Sequence, residues 1–355
     1  MNRVGQEKPE ELGSNPARDY SGEMQNRINK PIFVVGSPRS GTSILTWCLG
    51  HHPNLFPVPE SSWIGGFAIS IAIAYQTGSA RGDYSILSAM DVGNDELFTT
   101  FGESINDLVL RHRKHLEIKR ETRSIELKIE PRWLEATRTA AGPKTRWVDG
   151  TPEYSFHICG LRKLFPQALF IHVVRDVRPV VRSMLNFHRV AGTQLVSSEE
   201  EAYRYWLGTV SACLTAERAY GPRVIHRLKY SDLIENPEAA LRAMLNFLGE
   251  PYSEKCLEPL SQRINSSNVP GDFRSDDAAK APVVVEQAAR LSRDLEQSLQ
   301  PAEASPAAAA EMEAAFAERV QYMATLESQY QRALQIIQTL ERTKAPEDAP
   351  FCETH

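Results

Sequence analysis

A chain of 355 residues, 42% of them hydrophobic and carrying a net charge of −5, has enough apolar mass for one large globular domain plus an appendage. Basic and acidic residues are mixed along it, which excludes a broad cationic face for nucleic acid and confines any bound anion to a local pocket. The five cysteines are scattered without a C-x-x-C pair, so no metal site is indicated and free thiols in a reducing compartment are expected.

Residues 1–30 are polar and lack the apolar core of a signal peptide, so they read as a flexible leader. The longest nearly apolar stretch, Ile64 to Tyr75, is twelve residues, too short to span a bilayer. A soluble, cytoplasmic protein is the expectation. The first predicted strand is Ile32 to Val35, and it runs into GSPRSGTS at 36–43. Two glycines around a short loop, followed by hydroxyl residues at a helix start, have the pattern of a phosphate-binding loop. The lysine such a loop carries before its Ser/Thr is absent: Thr42 stands there, and the cation is Arg39 within the loop. That loss disfavours an ordinary magnesium-dependent nucleotide triphosphatase.

Residues 61–143 form a long insertion of helical periodicity, expected to select the acceptor, with the basic run Arg111 to His115 inside it. A second strand is predicted at Thr145 to Val148, a third at Ala168 to Val174 and a fourth at Val224 to Leu228. Strands alternating with helical patterning argue for an α/β chain with a central parallel sheet covered on both faces. The third strand ends in Arg175, and Ser183 follows eight residues on, in the first turns of a helix. This pair can converge on a second phosphate, so a ligand with two separated phosphate groups is the natural occupant. Beyond Asp272 the composition turns to Ala, Glu and Gln, predicting a linker over 273–310 and a heptad-like helix over 311–345. Its stripe of Met312, Phe316, Val320, Met323, Leu326, Tyr330, Leu334, Ile337 and Leu340 suits docking on the chain's own domain, a partner helix or a second copy.

These stretches resemble the sulfotransferase superfamily, which uses 3′-phosphoadenosine 5′-phosphosulfate (PAPS). PIFVVGSPRSGTS is similar to the family's 5′-phosphosulfate loop, FPQALFIHVVRDVRPVVRSML to its 3′-phosphate segment, and LKYSDLIENPEAALRAMLNFLGEPY to the segment contributing a tyrosine near the adenine; with RWVDGTP they fall within about 31–255. The resemblance implies a P-loop-type three-layer α/β/α domain over 31–272 with a helical C-terminal extension. It implies that Arg39, Ser40, Gly41, Thr42 and Ser43 hold the phosphosulfate, that Arg175 and Ser183 hold the 3′-phosphate, and that Tyr230 lines the adenosine pocket, with no metal required. The branch with a PRSGT loop is similar to bacterial and tyrosylprotein sulfotransferases, and the latter place a base glutamate after a His-Pro pair. Here the pair is His52-Pro53 and the glutamate Glu60. His112 and His115 are outside candidates for the base, and Asn265 to Asn268 resembles the late phosphate-contacting loop. Several relatives have a lysine before the Thr-Pro element, where this chain has Gly150.

The leading reading is therefore sulfuryl transfer from PAPS to an acceptor hydroxyl, a carbohydrate or glycolipid by analogy with the family, with Glu60 as base and Arg39 stabilising the leaving group. A phosphotransferase with an unusual phosphate loop, and a non-catalytic binding protein on the same fold, are the alternatives. The sequence shows no clear acidic strand end to place magnesium for the first of these.

Overall fold

The structure is a computed structural model and describes residues 29–127, 144–261, 281–298 and 303–344. The expected leader up to residue 28 and the segment Asn265 to Asn268 lie outside the described residues. Five parallel strands form one sheet in the order β2-β3-β1-β4-β5: β1 is Ile32–Gly36, β2 Leu55–Pro57, β3 Arg146–Asp149, β4 Leu169–Val174 and β5 Ile225–Lys229. The four predicted strands are present. The fifth, β2, is three residues ending in a proline, too short to leave a periodic signal in sequence.

Alternation along β1 shows why the chain folds into three layers. Phe33 and Val35 face one core cluster and Ile32 and Val34 the other, so successive side chains bury on opposite faces. Helices α1 (Thr42–Gly50), α2 (Ile64–Ser79), α3 (Ile86–Ala89), α4 (Asn94–Leu127) and α5 (Ile158–Leu164) follow in chain order. After them come α6 (Val177–Leu185), α7 (His188–Ala191), α8 (Glu199–Tyr220), α9 (Tyr230–Glu235) and α10 (Pro237–Leu248). Phe33 is fully buried and its ring meets Trp147, Tyr154, Phe165 and Phe170 at centroid distances of 5.4 to 5.9 Å. Truncating a residue so placed costs about 3–5 kcal/mol.

From β1 the chain crosses to β2 at one edge and returns to β3 beside β1, whereas β4 continues to β5 at the other edge. The connections leaving β1 and β4 thus diverge, which opens a crevice at the carboxyl ends of these two neighbours. The loop after Gly36 and residue Arg175 stand there.

Part of the predicted linker over 273–310 is helical and packed. Within it, α11 (Pro282–Gln297) buries Val284, Ala288 and Leu295 against Val174, Val177, Val180 and Trp206. These apolar positions recur at helical spacing inside an Ala/Glu/Gln-rich background that conceals them. The domain therefore extends past Asp272. The last helix, α12 (Pro306–Lys344), is split. Met312, Phe316 and Val320 join the core, while Tyr322, Met323, Leu326, Tyr330, Ile336, Ile337 and Leu340 face solvent. No helix among the described residues is long and apolar enough to cross a membrane.

Candidate active site

The loop between β1 and α1 is shaped by backbone geometry that most side chains resist. Arg39 has φ 70°, and Gly41, at φ 112°, serves as the N-cap of α1. A Cβ on Gly41 would meet the Tyr230 ring at 2.6 Å, so glycine is required there for space as well as conformation. No side chain caps α1 and no acid stands in its first turn, leaving the helix dipole open to an anion at Thr42 and Ser43. The Ser40 hydroxyl is buried without a hydrogen-bond partner among the described residues. An uncapped helix start beside an orphaned hydroxyl fits a phosphate-like group.

Arg39 occupies a left-handed conformation, which costs about 1–2 kcal/mol for a residue with a Cβ. Its carbonyl accepts a hydrogen bond from Arg175 Nη1 at 3.2 Å, a charged contact worth about 1.5–3 kcal/mol and so able to hold it. Its own Nε donates to Ser183 Oγ at 3.0 Å, and its guanidinium lies 5.1 Å from the centroid of Phe187. The Arg175 guanidinium lies 4.2 Å from the Tyr230 centroid. Arg39, Gly41, Arg175, Ser183 and Tyr230, spread over almost two hundred positions of sequence, thus form one cluster. Asp176 does not pair with Arg175 at the helix start; it caps α6 by accepting from the Arg178 N–H at 2.8 Å.

Glu60 lies between β2 and α2, within charge range of Arg39. Its outer edge is open to solvent, yet crowding by protein, and then the charges of Glu153 and Asp149, push its carboxyl up to about 7, with Arg39 opposing the rise. Burial first and then Arg175 lower the pKa of Arg39. His112 and His115 are exposed on α4 and stack on each other at 5.5 Å; neither figures among the groups acting on Glu60 or Arg39. His52 is a brace, bonded through Nε2 to the Pro251 carbonyl at 2.8 Å.

Several residues with no signal in the sequence complete the site. Gly36 N–H donates to Ser155 Oγ at 2.9 Å, and the Ser155 hydroxyl donates to the Pro152 carbonyl at 2.7 Å, tying the DGTPEYS turn to the loop. Asp149 is an acidic strand end after all, directly beside β1, but Oδ1 is taken by the Thr151 N–H at 2.9 Å and Oγ1 at 2.6 Å. Ser61 N–H donates to Thr151 Oγ1 at 2.9 Å, and Ser61 Oγ bonds Tyr154 OH, so the backbone next to Glu60 is pinned to the same turn. Only the long-range contacts of the fold reveal this brace.

Gly150 has a steric reason. A Cβ there would sit 2.2 Å from Thr46 Oγ1, which itself donates to the Thr42 carbonyl at 2.9 Å. A side chain at 150 would have to turn the Thr46 hydroxyl out of that bond, and the positive charge acting on Arg39 is that of Arg175. Aromatic rings begin at Trp63, three positions after Glu60, and another group stands against Glu153. Trp63, Phe67 and Phe101 run in sequence at 5.7 Å spacings, with Trp63 and Phe101 exposed. On the Glu153 side, Tyr205 OH donates to Glu153 at 3.4 Å and the Phe156 ring packs edge-on against Tyr205.

A family model described as "Sulfotransferase family" matches residues 31–254. An "Uncharacterized protein" of Aquifex aeolicus is 25% identical over 233 residues, covering 64% of this chain and 26% of that one. Protein-tyrosine sulfotransferase A of Caenorhabditis elegans is 21% identical over 267 residues, 74% of this chain and 61% of that one. The omega-hydroxy-beta-dihydromenaquinone-9 sulfotransferase of Mycobacterium bovis is 31% identical over 105 residues, 28% of this chain and 27% of that one. The chain spans about a quarter and about three fifths of the first two relatives' own lengths.

Proposed function

The chain belongs to the sulfotransferase family, and from that premise we propose that it transfers a sulfuryl group from PAPS to an acceptor hydroxyl, releasing 3′,5′-ADP. The observation that carries this reading is the contact between the Arg39 loop and the Arg175–Ser183 segment, with the Arg39 guanidinium 3.0 Å from the Ser183 hydroxyl. Two cationic subsites so joined suit one ligand bearing phosphate at two positions, which ATP does not. PAPS, when bound, supplies the sulfuryl group and a leaving phosphate.

In this reading Ser40, Gly41, Thr42 and Ser43 hold the 5′-phosphosulfate at the start of α1, while Arg175 and Ser183 hold the 3′-phosphate and Tyr230 lines the adenosine pocket. Arg39 neutralises charge on the 5′-phosphate as its bond to sulfur breaks. Glu60, with a carboxyl near neutrality, takes the proton from the acceptor hydroxyl as the new O–S bond forms. The residues present require no metal for these steps.

Of the acceptors the sequence favours, a glycolipid is favoured over a free sugar, because the Trp63–Phe67–Phe101 row, which begins three residues after Glu60 and exposes Trp63 and Phe101, offers an apolar ledge. The tyrosine and dihydromenaquinone named in two relatives also carry apolar bodies. The solvent-facing stripe Met323 to Leu340 supports pairing with a second copy or a partner helix. Incubating the chain with ³⁵S-labelled PAPS and fractionated extract of its source organism tests the reading: label should move to a lipid-soluble fraction, and retention of all label in PAPS would contradict it.

A further inference from the structure

We propose that Arg175 is a positioning residue for Arg39, so that the two phosphate subsites are held as one unit; the inference rests on the donor-site reading above. Arg39 is gripped at both ends by the segment that follows β4. Its carbonyl takes Arg175 Nη1 at 3.2 Å and its side chain gives Nε to Ser183 at 3.0 Å, while the backbone between stays at φ 70°. Arg175 is itself fixed, its Cζ 4.2 Å from the Tyr230 centroid, and the Tyr230 ring fills the space where Gly41 lacks a Cβ. Helix α6 is anchored in turn, because the Val177 N–H donates to Ser292 Oγ of α11 at 3.2 Å. A chain of contacts therefore runs from α11 through α6 to the conformation of residue 39.

The planar fork of arginine makes this possible. One N–H serves the Arg39 carbonyl while the other donors stay available to an anion, and the guanidinium lies over the Tyr230 ring. Lysine could meet a phosphate as a point charge, but it has neither the fork nor the plane. Without Arg175, residue 39 is free to leave the left-handed region, and the N–H groups of the loop turn away from the 5′ group. A residue that only bound the 3′-phosphate would matter solely to ligands that carry one.

Calorimetry on the full chain, with 3′,5′-ADP titrated directly and 5′-AMP measured by displacement of it, separates the two roles. In both R175K and R175M, 5′-AMP should weaken about fivefold or more. R175K should keep the parent's preference for 3′,5′-ADP over 5′-AMP within about threefold, because its ammonium still reaches the 3′-phosphate; R175M should lose that preference. Far-ultraviolet circular dichroism melts check that both variants are folded, and the conservative R175K carries the test should R175M not be. Unchanged 5′-AMP affinity in the folded variants, with 3′,5′-ADP alone weakened, overturns the positioning role. Failure of the parent to bind either nucleotide overturns the donor-site reading beneath it.

Discussion

In the body of the sheet, His172 of β4 lies in register with Arg227 of β5, and Glu217 of α8 bonds both, reaching His172 Nδ1 at 2.7 Å. At the carboxyl ends of the same sheet Arg39 lies beside Arg175, and Glu60 beside Glu153 and Asp149. The first cluster pairs opposite charges. Burial opposes protonation of His172, but Cys213 and Glu217 outweigh it and push its pKa up to about 10; His172 and Arg227 likewise hold Glu217 below the usual carboxylate range despite its burial. In the second cluster burial acts first and like charges add to it, so Glu60 is raised and Arg39 lowered although each opposes the other's shift. Matched charges make an inert strut, whereas crowded like charges are relieved by a ligand of opposite sign or by gaining or losing a proton.

The sharpest break between the two regions comes from removing their central carboxylates. Glu60→Gln should lower sulfuryl transfer about 10²–10⁴-fold and leave 3′,5′-ADP binding intact; full turnover in this variant would end the base assignment. The parent's rate should rise with pH through a midpoint near 7, where Glu60 loses its proton. Because its folded pKa lies above the ordinary carboxylate value, the stability it contributes is present at acid pH and lost as pH rises through about 7. Thermal melts at pH 5 and pH 8 should therefore show Glu60→Gln gaining on the parent only at the higher pH. Glu217→Ala should act in the opposite way. It removes the carboxylate that His172 and Arg227 share, at a cost of about 3–5 kcal/mol in urea unfolding, while the folded variant keeps the parent's affinity for 3′,5′-ADP.

Arg39→Ala should cost about 10²–10³-fold in turnover, the effect of losing one preorganised donor at a leaving group. It should also move the pH midpoint upward, since Arg39 opposes the rise in Glu60. Glu153→Gln should move the midpoint the other way, because a neighbouring negative charge is removed. A shift in the wrong direction in either variant would show that these charges do not govern Glu60. The smallest effect belongs to the end of α12. Truncation after residue 321 removes the solvent-facing stripe of α12, so stability should change by no more than about 0.5 kcal/mol while light scattering reports loss of self-association. Equal masses for both chains would remove pairing between copies.

Much of this was legible in sequence because local rules decide it. The strand before GSPRSGTS, the glycine at 41 and the arginine at 175 each announce themselves through short-range geometry, and the structure assembles them at the divergence of β1 and β4. What sequence hid is set by distance along the chain. Ser155 meets Gly36 across 119 positions, and the clash that makes residue 150 a glycine is with Thr46, more than a hundred positions away. The predicted linker concealed α11 for a different reason: its buried face is made of Val284, Ala288, Ser292 and Leu295, residues too small and too diluted by charge to read as core. The heptad-like stripe was continuous in sequence, yet only its first part found a surface to cover.

One molecule is expected to bridge the Arg39 loop and the Arg175–Ser183 segment. Calorimetry comparing 3′,5′-ADP with ATP·Mg²⁺ at pH 7 tests that most directly. Saturable binding of 3′,5′-ADP without magnesium, weakened by both Arg39→Ala and Ser183→Ala, with no comparable heat from ATP·Mg²⁺, is the expected result. Tight binding of ATP·Mg²⁺ with none of 3′,5′-ADP would contradict it.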